Sequence, residues 1–186
     1  MCAQQVAGLK GARETETGDI RQMAMNTVED LLTEEIKDLY SAEKQLTKAI
    51  PKMAKGASDA SLKEALQAHL EETKNQVTRL EEAATILGIK PSGKKCMGME
   101  GVVSEGAEVL EEDGEDQTLD LAIIGAASRV EHYEMAGYMT AISLAEQLGH
   151  SDVVKLLQAS LREEENAEKL LRKLAGQMLP EAAAAA

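Results

Sequence analysis

The chain has 186 residues with 33 acidic against 20 basic side chains, a net charge of −13, and three Tyr as its entire aromatic content. This length suits one domain with a sizeable core. A core of Leu, Ile, Val, Met and Ala without aromatic bulk favours helix on helix over a β-sandwich or barrel, and a chain of pI near 4.7 offers a polyanion no basic stripe, which excludes nucleic acid as the expected partner. No run approaches eighteen consecutive apolar residues and no secretory pattern opens the chain, so the expectation is a cytoplasmic protein that does not enter a membrane. Cys2 and Cys96 are too few and too far apart for a disulfide framework or a paired-cysteine metal site.

Residues 1–25 combine glycines with a Thr/Glu alternation and read as a flexible extension, and residues 179–186 read as a disordered tail. Between them, residues 26–178 carry four long windows whose apolar residues recur at steps of three and four, the periodicity of a helix. The first runs from Thr27 to about Lys55, opening on the near capping box Thr27-Val-Glu-Asp30, with a kink or early stop expected at Pro51. The second opens at Ser58 or at the box Ser61-Leu-Lys-Glu64 and stops at Gly88. A crossover of roughly 30 residues follows, containing a short helix over Met97–Glu111. The third window runs from about Gln117 to Leu148, and the fourth from Ser151 to about Met178, ending before Pro180. Two helix hairpins joined by one long crossover make an all-α, antiparallel four-helix bundle of ferritin-like connectivity.

Each apolar stripe is interrupted by carboxylates near its middle. The first reads Leu32, Ile36, Leu39, Glu43, Leu46, Ile50, Met53. The second contains His69, Thr73 and Gln76 with Glu72 beside them, the third Glu134 with Glu131 one turn earlier, and the fourth Glu164 and Glu168. Counted from the two hairpin turns, these breaks fall within about a turn of one height, because antiparallel helices rise equally at ~1.5 Å per residue. Buried carboxylates without a counter-charge cost several kcal/mol each or must take up protons. No Lys or Arg occupies the stripe positions, so a cation from outside the chain is implied. Oxygen-rich ligands with an imidazole suit iron or manganese, and a bundle core with carboxylates from every helix is the dinuclear arrangement, two metal ions per chain. Tyr40, Tyr133 and Tyr138 lie within a turn of these positions and could hydrogen-bond a ligand.

The strings TVEDLL, DLYSAEKQLTKAIPKMAK, LQAHLEETKNQVTRLEE, KCMGMEG, RVEHYEMAGY, LAEQLG and LREEENAEKLL resemble the bacterial YciE/YciF family of stress-associated ferritin-like proteins over about residues 26 to 178. The resemblance implies a rubrerythrin-like dimetal bundle, commonly a homodimer, with a role in stress physiology. Glu131-His-Tyr-Glu134 is similar to the third-helix segment of rubrerythrins, where a Glu pair ligates metal. The second helix departs from that pattern, with His69 preceding Glu72 rather than following it, and the fourth helix has no His. The ligand set that follows is Glu43, His69, Glu72, Glu131, Glu134, Glu164 and Glu168, with peroxide or dioxygen as the small oxidant expected to react there. A metal-storing or purely structural protein is the alternative.

Overall fold

The computed structural model describes residues 25–184 and contains five helices: α1 (Val28–Gly56), α2 (Ala60–Leu87), α3 (Met97–Val109), α4 (Asp116–Gln147) and α5 (Ser151–Ala184). Residues 1–24 and 185–186, which hold most of the N-terminal extension, Cys2 and the last two alanines, lie outside the described residues. The hairpins α1/α2 and α4/α5 pack side by side, α1 against α4 and α2 against α5, and α3 lies across α1 and α4. The expected four-helix bundle with its crossover helix is thus observed. No described helix is long and apolar enough to cross a membrane.

Local chemistry explains most boundaries. Thr27 Oγ1 accepts from the Asp30 amide at 3.0 Å while Asp30 Oδ2 accepts from the Thr27 amide at 3.1 Å, completing the capping box that starts α1. Gly88 caps α2 and Gly149 follows the cap of α4 with φ of 67° and 76°, a region open to glycine at little cost. The start of α2 differs from both expected positions. Asp59 is its N-cap, with Oδ1 accepting from the Leu62 amide at 2.8 Å, and the amides of Ser58 and Asp59 donate to the two carboxylate oxygens of buried Asp120 on α4 at 2.8 and 2.7 Å. A side chain 62 and 61 residues away satisfies these two amides, and nothing local predicts that.

Neither proline ends its helix. Pro51 sits inside α1, which continues to Gly56. Pro180 sits inside α5, and the segment read as a disordered tail is helical as far as Ala184. Each proline removes one backbone donor; at the second, buried Met178 just before it and a 3.0 Å bond from Gln117 Nε2 to Glu181 Oε2 just after it hold the turn in place, and alanines of high helix propensity follow.

The core divides into two clusters, one toward the α1/α2 turn and α3, the other toward the α4/α5 turn. The carboxylate level lies between them. Helix α3 is weakly determined by its own sequence, since three of its thirteen residues are glycine, at about 1 kcal/mol each relative to alanine. A Cβ at Gly101 would meet nothing within 4 Å, whereas one at Gly98 would lie 2.5 Å from the Tyr133 hydroxyl. Gly101→Ala is therefore expected to stabilise the protein by about 0.5–1 kcal/mol and Gly98→Ala to destabilise it. Thermal denaturation of both variants reads the opposite signs.

Candidate metal centre

Glu43 takes the α1 stripe position between Leu39 and Leu46 and is completely buried. The same periodicity on the other helices brings His69, Glu131, Glu134 and Glu164 to it, and one ligand atom from each of these four lies within 4.8 Å of the others. Exposure is 0% for Glu43, Glu134 and Glu164, 2% for Glu131 and 6% for His69. His69 Nε2 is 3.4 Å from Glu131 Oε2 and 3.5 Å from Glu164 Oε2.

Around this group the hydrogen bonding fails in one place. Among the described residues, the buried side-chain nitrogens and oxygens with no hydrogen-bond partner are Glu43 Oε2, His69 Nε2, Gln76 Oε1, Glu131 Oε2, both oxygens of Glu134 and Glu164 Oε2. Buried polar groups are otherwise almost always paired, and each exception costs about 1–3 kcal/mol or more when charged. Six of these seven atoms lie on four carboxylates and one imidazole, and His69, Glu131, Glu134 and Glu164 among them converge closely enough to share one cation. These residues can hold a cation, and the oxygen-rich donor set with one imidazole is that of hard to borderline divalent metals.

The electrostatics agree. Burial, reinforced by the charges of the facing carboxylates, pushes Glu43, Glu134 and Glu164 well above the usual carboxylate range. Burial likewise raises Glu131 to about 8. Burial acts to lower His69, but its bond to Glu72 and the charges of Glu164 and Glu43 outweigh it and hold the imidazole above its ordinary value. Without a metal these shifts favour the protonated carboxyls.

The other expected residues are positioned around this group rather than in it. Glu72 Oε2 is 3.1 Å from His69 Nδ1, with a partly solvent-exposed carboxylate. A proton shared there leaves the Nε2 lone pair facing the carboxylates, so Glu72 orients the imidazole. Glu168 is buried on the expected stripe, but its own-helix partner Arg172 binds both of its oxygens, Nε to Oε1 at 3.0 Å and Nη2 to Oε2. A guanidinium four residues on neutralises it. Of the tyrosines, Tyr138 alone reaches the centre, its buried hydroxyl donating to Glu43 Oε1. Tyr40 instead donates to Glu81 at 3.0 Å, and Tyr133 bonds Cys96 Sγ at 3.0 Å and Asp38 Oδ2 at 3.3 Å beneath the start of α3.

Sequence reasoning missed Gln76 as a site residue although it drew Gln76 on the buried stripe. Its Nε2 donates to Glu164 Oε1 and, at 3.0 Å, to Glu163 Oε2, and Arg79 clamps Glu163 with contacts of 2.7 and 2.5 Å. This chain of bonds fixes Glu164 from the outer surface. The available signal was an amide seven residues after His69, on the same heptad face. Beside the centre, between α2 and α5, a cavity of about 130 Å³ bordered by Ala65, Ala68 and Leu170 opens onto His69, Glu72 and Glu131.

With the geometry in place, comparison with known proteins locates the chain among them. Residues 27–184 match the sequence model of a family described as a domain of unknown function, DUF892. Protein YciF of Escherichia coli K12 is 43% identical over 154 residues, covering 82% of this chain and 93% of that protein. The chain belongs to the YciF (DUF892) family. The crystal structure of the E. coli stress protein YciF superimposes on this YciF-family chain with a TM-score of 0.82 at 41% identity, covering 84% of this chain and 99% of that one. YcfI from Rhodopseudomonas palustris gives 0.78 at 43% identity, covering 81% and 96%. A protein from Xanthomonas campestris, 18% identical with a TM-score of 0.66 over 82% and 94% of the two chains, shares the fold.

Proposed function

We propose that this YciF-family chain is a dinuclear metal protein that holds two iron or manganese ions at the bundle centre and reacts there with hydrogen peroxide or dioxygen. The observation that carries this reading is the set of buried, unpartnered donor atoms on Glu43, His69, Glu131, Glu134 and Glu164, drawn from all four long helices. These five residues would hold the ions, with Glu168 available as a further carboxylate on release from Arg172. Such a metal pair, when bound, supplies the electron transfer that an O–O bond requires. The chain contributes the remainder. Glu72 fixes the imidazole orientation through Nδ1, Gln76 holds Glu164, and Tyr138 keeps a proton on its hydroxyl against Glu43.

The 130 Å³ cavity beside His69 and Glu131 has room for a small oxidant and little else. Its small apolar border and acidic lining favour a neutral guest over an anion. A bacterial cytoplasmic setting and a homodimer complete the reading, in keeping with the family resemblance.

Metal analysis of the purified protein, followed by peroxide and oxygen consumption assays, tests it. About two ions per chain and turnover that disappears in the double variant Glu43→Ala, Glu134→Ala are expected. Tight binding without turnover would replace the redox reading with metal storage. No metal above background would leave a structural helical protein.

A further inference from the structure

A second cavity, of about 380 Å³, lies where α3 crosses α1 and α4. Its interior is apolar: Leu46 and Met53 on α1, Val102 and Leu110 on the α3 side, and Ala126 and Val130 on α4. Volume and lining are those of a small-molecule site, an apolar body with few polar groups at its edge. Helix α3, with its three glycines, closes over this space without filling it.

The charge at its mouth is opposite to that of the molecule. Lys48, Lys52 and Lys95 stand at the opening of a chain whose net charge is −13. Lys95 pairs with Glu100, but Lys48 and Lys52 have no ion pair among the described residues. They belong to a ridge of exposed lysines, Lys44, Lys48, Lys52 and Lys55, spaced by four, four and three along α1 and hence on one side of it. Like charges at this spacing destabilise a helix, and among the described residues none of these four lysines makes an ion pair, the cavity's own Glu100 being bound to Lys95. An apolar cavity with an uncompensated cationic edge matches a ligand with an apolar tail and one anionic head.

We propose that the α1/α3/α4 cavity binds a free fatty carboxylate, its tail inside α3 and its head on Lys48 and Lys52. The site shares no donor atom with the metal centre and does not depend on it. Decanoate is a suitable probe, titrated into the full-length protein by calorimetry with decanol as the neutral comparison. Saturable binding of about one decanoate per chain is expected, with decanol weaker. The double variant Lys48→Glu, Lys52→Glu is expected to weaken decanoate binding by about tenfold or more with little effect on decanol.

Ala107→Leu, on the exposed α3 border of the cavity, is expected to weaken both ligands by occupying tail space while leaving the lysines intact. Circular dichroism identifies any variant that fails to fold. Absence of saturable binding, or binding unchanged in both variants, would overturn the proposal. So would a dimer that the cavity variants dissociate and decanoate does not enter, which would assign the groove to a second copy of the chain. Adsorption to anionic phospholipid vesicles without decanoate binding would assign the ridge to a membrane surface instead.

Discussion

Glu134→Gln is expected to abolish tight metal binding and at the same time to stabilise the metal-free protein. Both oxygens of Glu134 are buried without a partner, and its neighbours are the carboxylates of Glu43, Glu164 and Glu131. Burial and the facing carboxylates hold its folded-state pKa well above the ordinary 4.5, so as pH rises past 4.5 the metal-free fold retains a proton that the unfolded chain loses. Glutamine has nearly the same shape and needs no proton, so its advantage over the parent grows as pH rises above 4.5 and vanishes below it. Chemical denaturation in the presence of a chelator reads the first half, and metal content the second. A variant less stable than the parent at pH 7 would show that Glu134 contributes to the metal-free fold, contrary to its unpaired burial.

The second large effect is the pH dependence of the metal-free protein. Glu131 is raised to about 8, so between pH 4.5 and 8 the folded state binds more protons than the unfolded one and stability falls as pH rises. Glu131 alone accounts for a loss of about 5 kcal/mol across that window, an upper figure because its neighbours titrate with it. His69, also raised, adds a loss of the same sign as pH passes its folded value. Metal reverses the slope, because a bound cation holds the carboxylates deprotonated and its affinity grows with pH. Melting temperatures with and without metal should coincide near pH 5 and separate widely by pH 8. Glu131→Gln should flatten the metal-free curve. A metal-free melting temperature that does not fall between pH 5 and 8 would contradict the buried, unpaired cluster.

Both expectations follow from a feature that was legible before any coordinates. The heptad that places Glu43 between Leu39 and Leu46 is unambiguous, and counting residues from the two tight turns puts Glu43, His69, Glu131, Glu134 and Glu164 at one height. Periodicity locates a residue around a helix axis, and rise per residue locates it along that axis. Neither says where the end of a long side chain goes. Glu168 lies on the correct stripe at the correct level, yet its carboxylate is bound by Arg172. Glu72, expected as a ligand beside His69, meets the outer nitrogen of that imidazole instead. Tyr40 and Tyr133 sit as near the carboxylates in sequence as Tyr138 does, and only Tyr138 reaches them, because the other two find Glu81 and Asp38 on their own sides of the bundle.

By itself, then, the sequence determined the helices, their antiparallel pairing, the crossover and the level at which charge enters the core, since these depend on neighbours within a turn or two and on the lengths of connections. Only the tertiary structure decided which polar ends face the centre. It also decided that Asp120 of α4 caps the α1/α2 turn from 61 residues away, that Gln76 is tied through Glu163 to Arg79, and that α5 persists through Pro180. For Asp120, Gln76 and the end of α5 the deciding partner comes from another helix, while Glu168 and Glu72 are held by Arg172 and His69 of their own helices. Hydrogen bonds between helices form where folding brings two side chains to about 3 Å, and no local pattern in either segment records that distance.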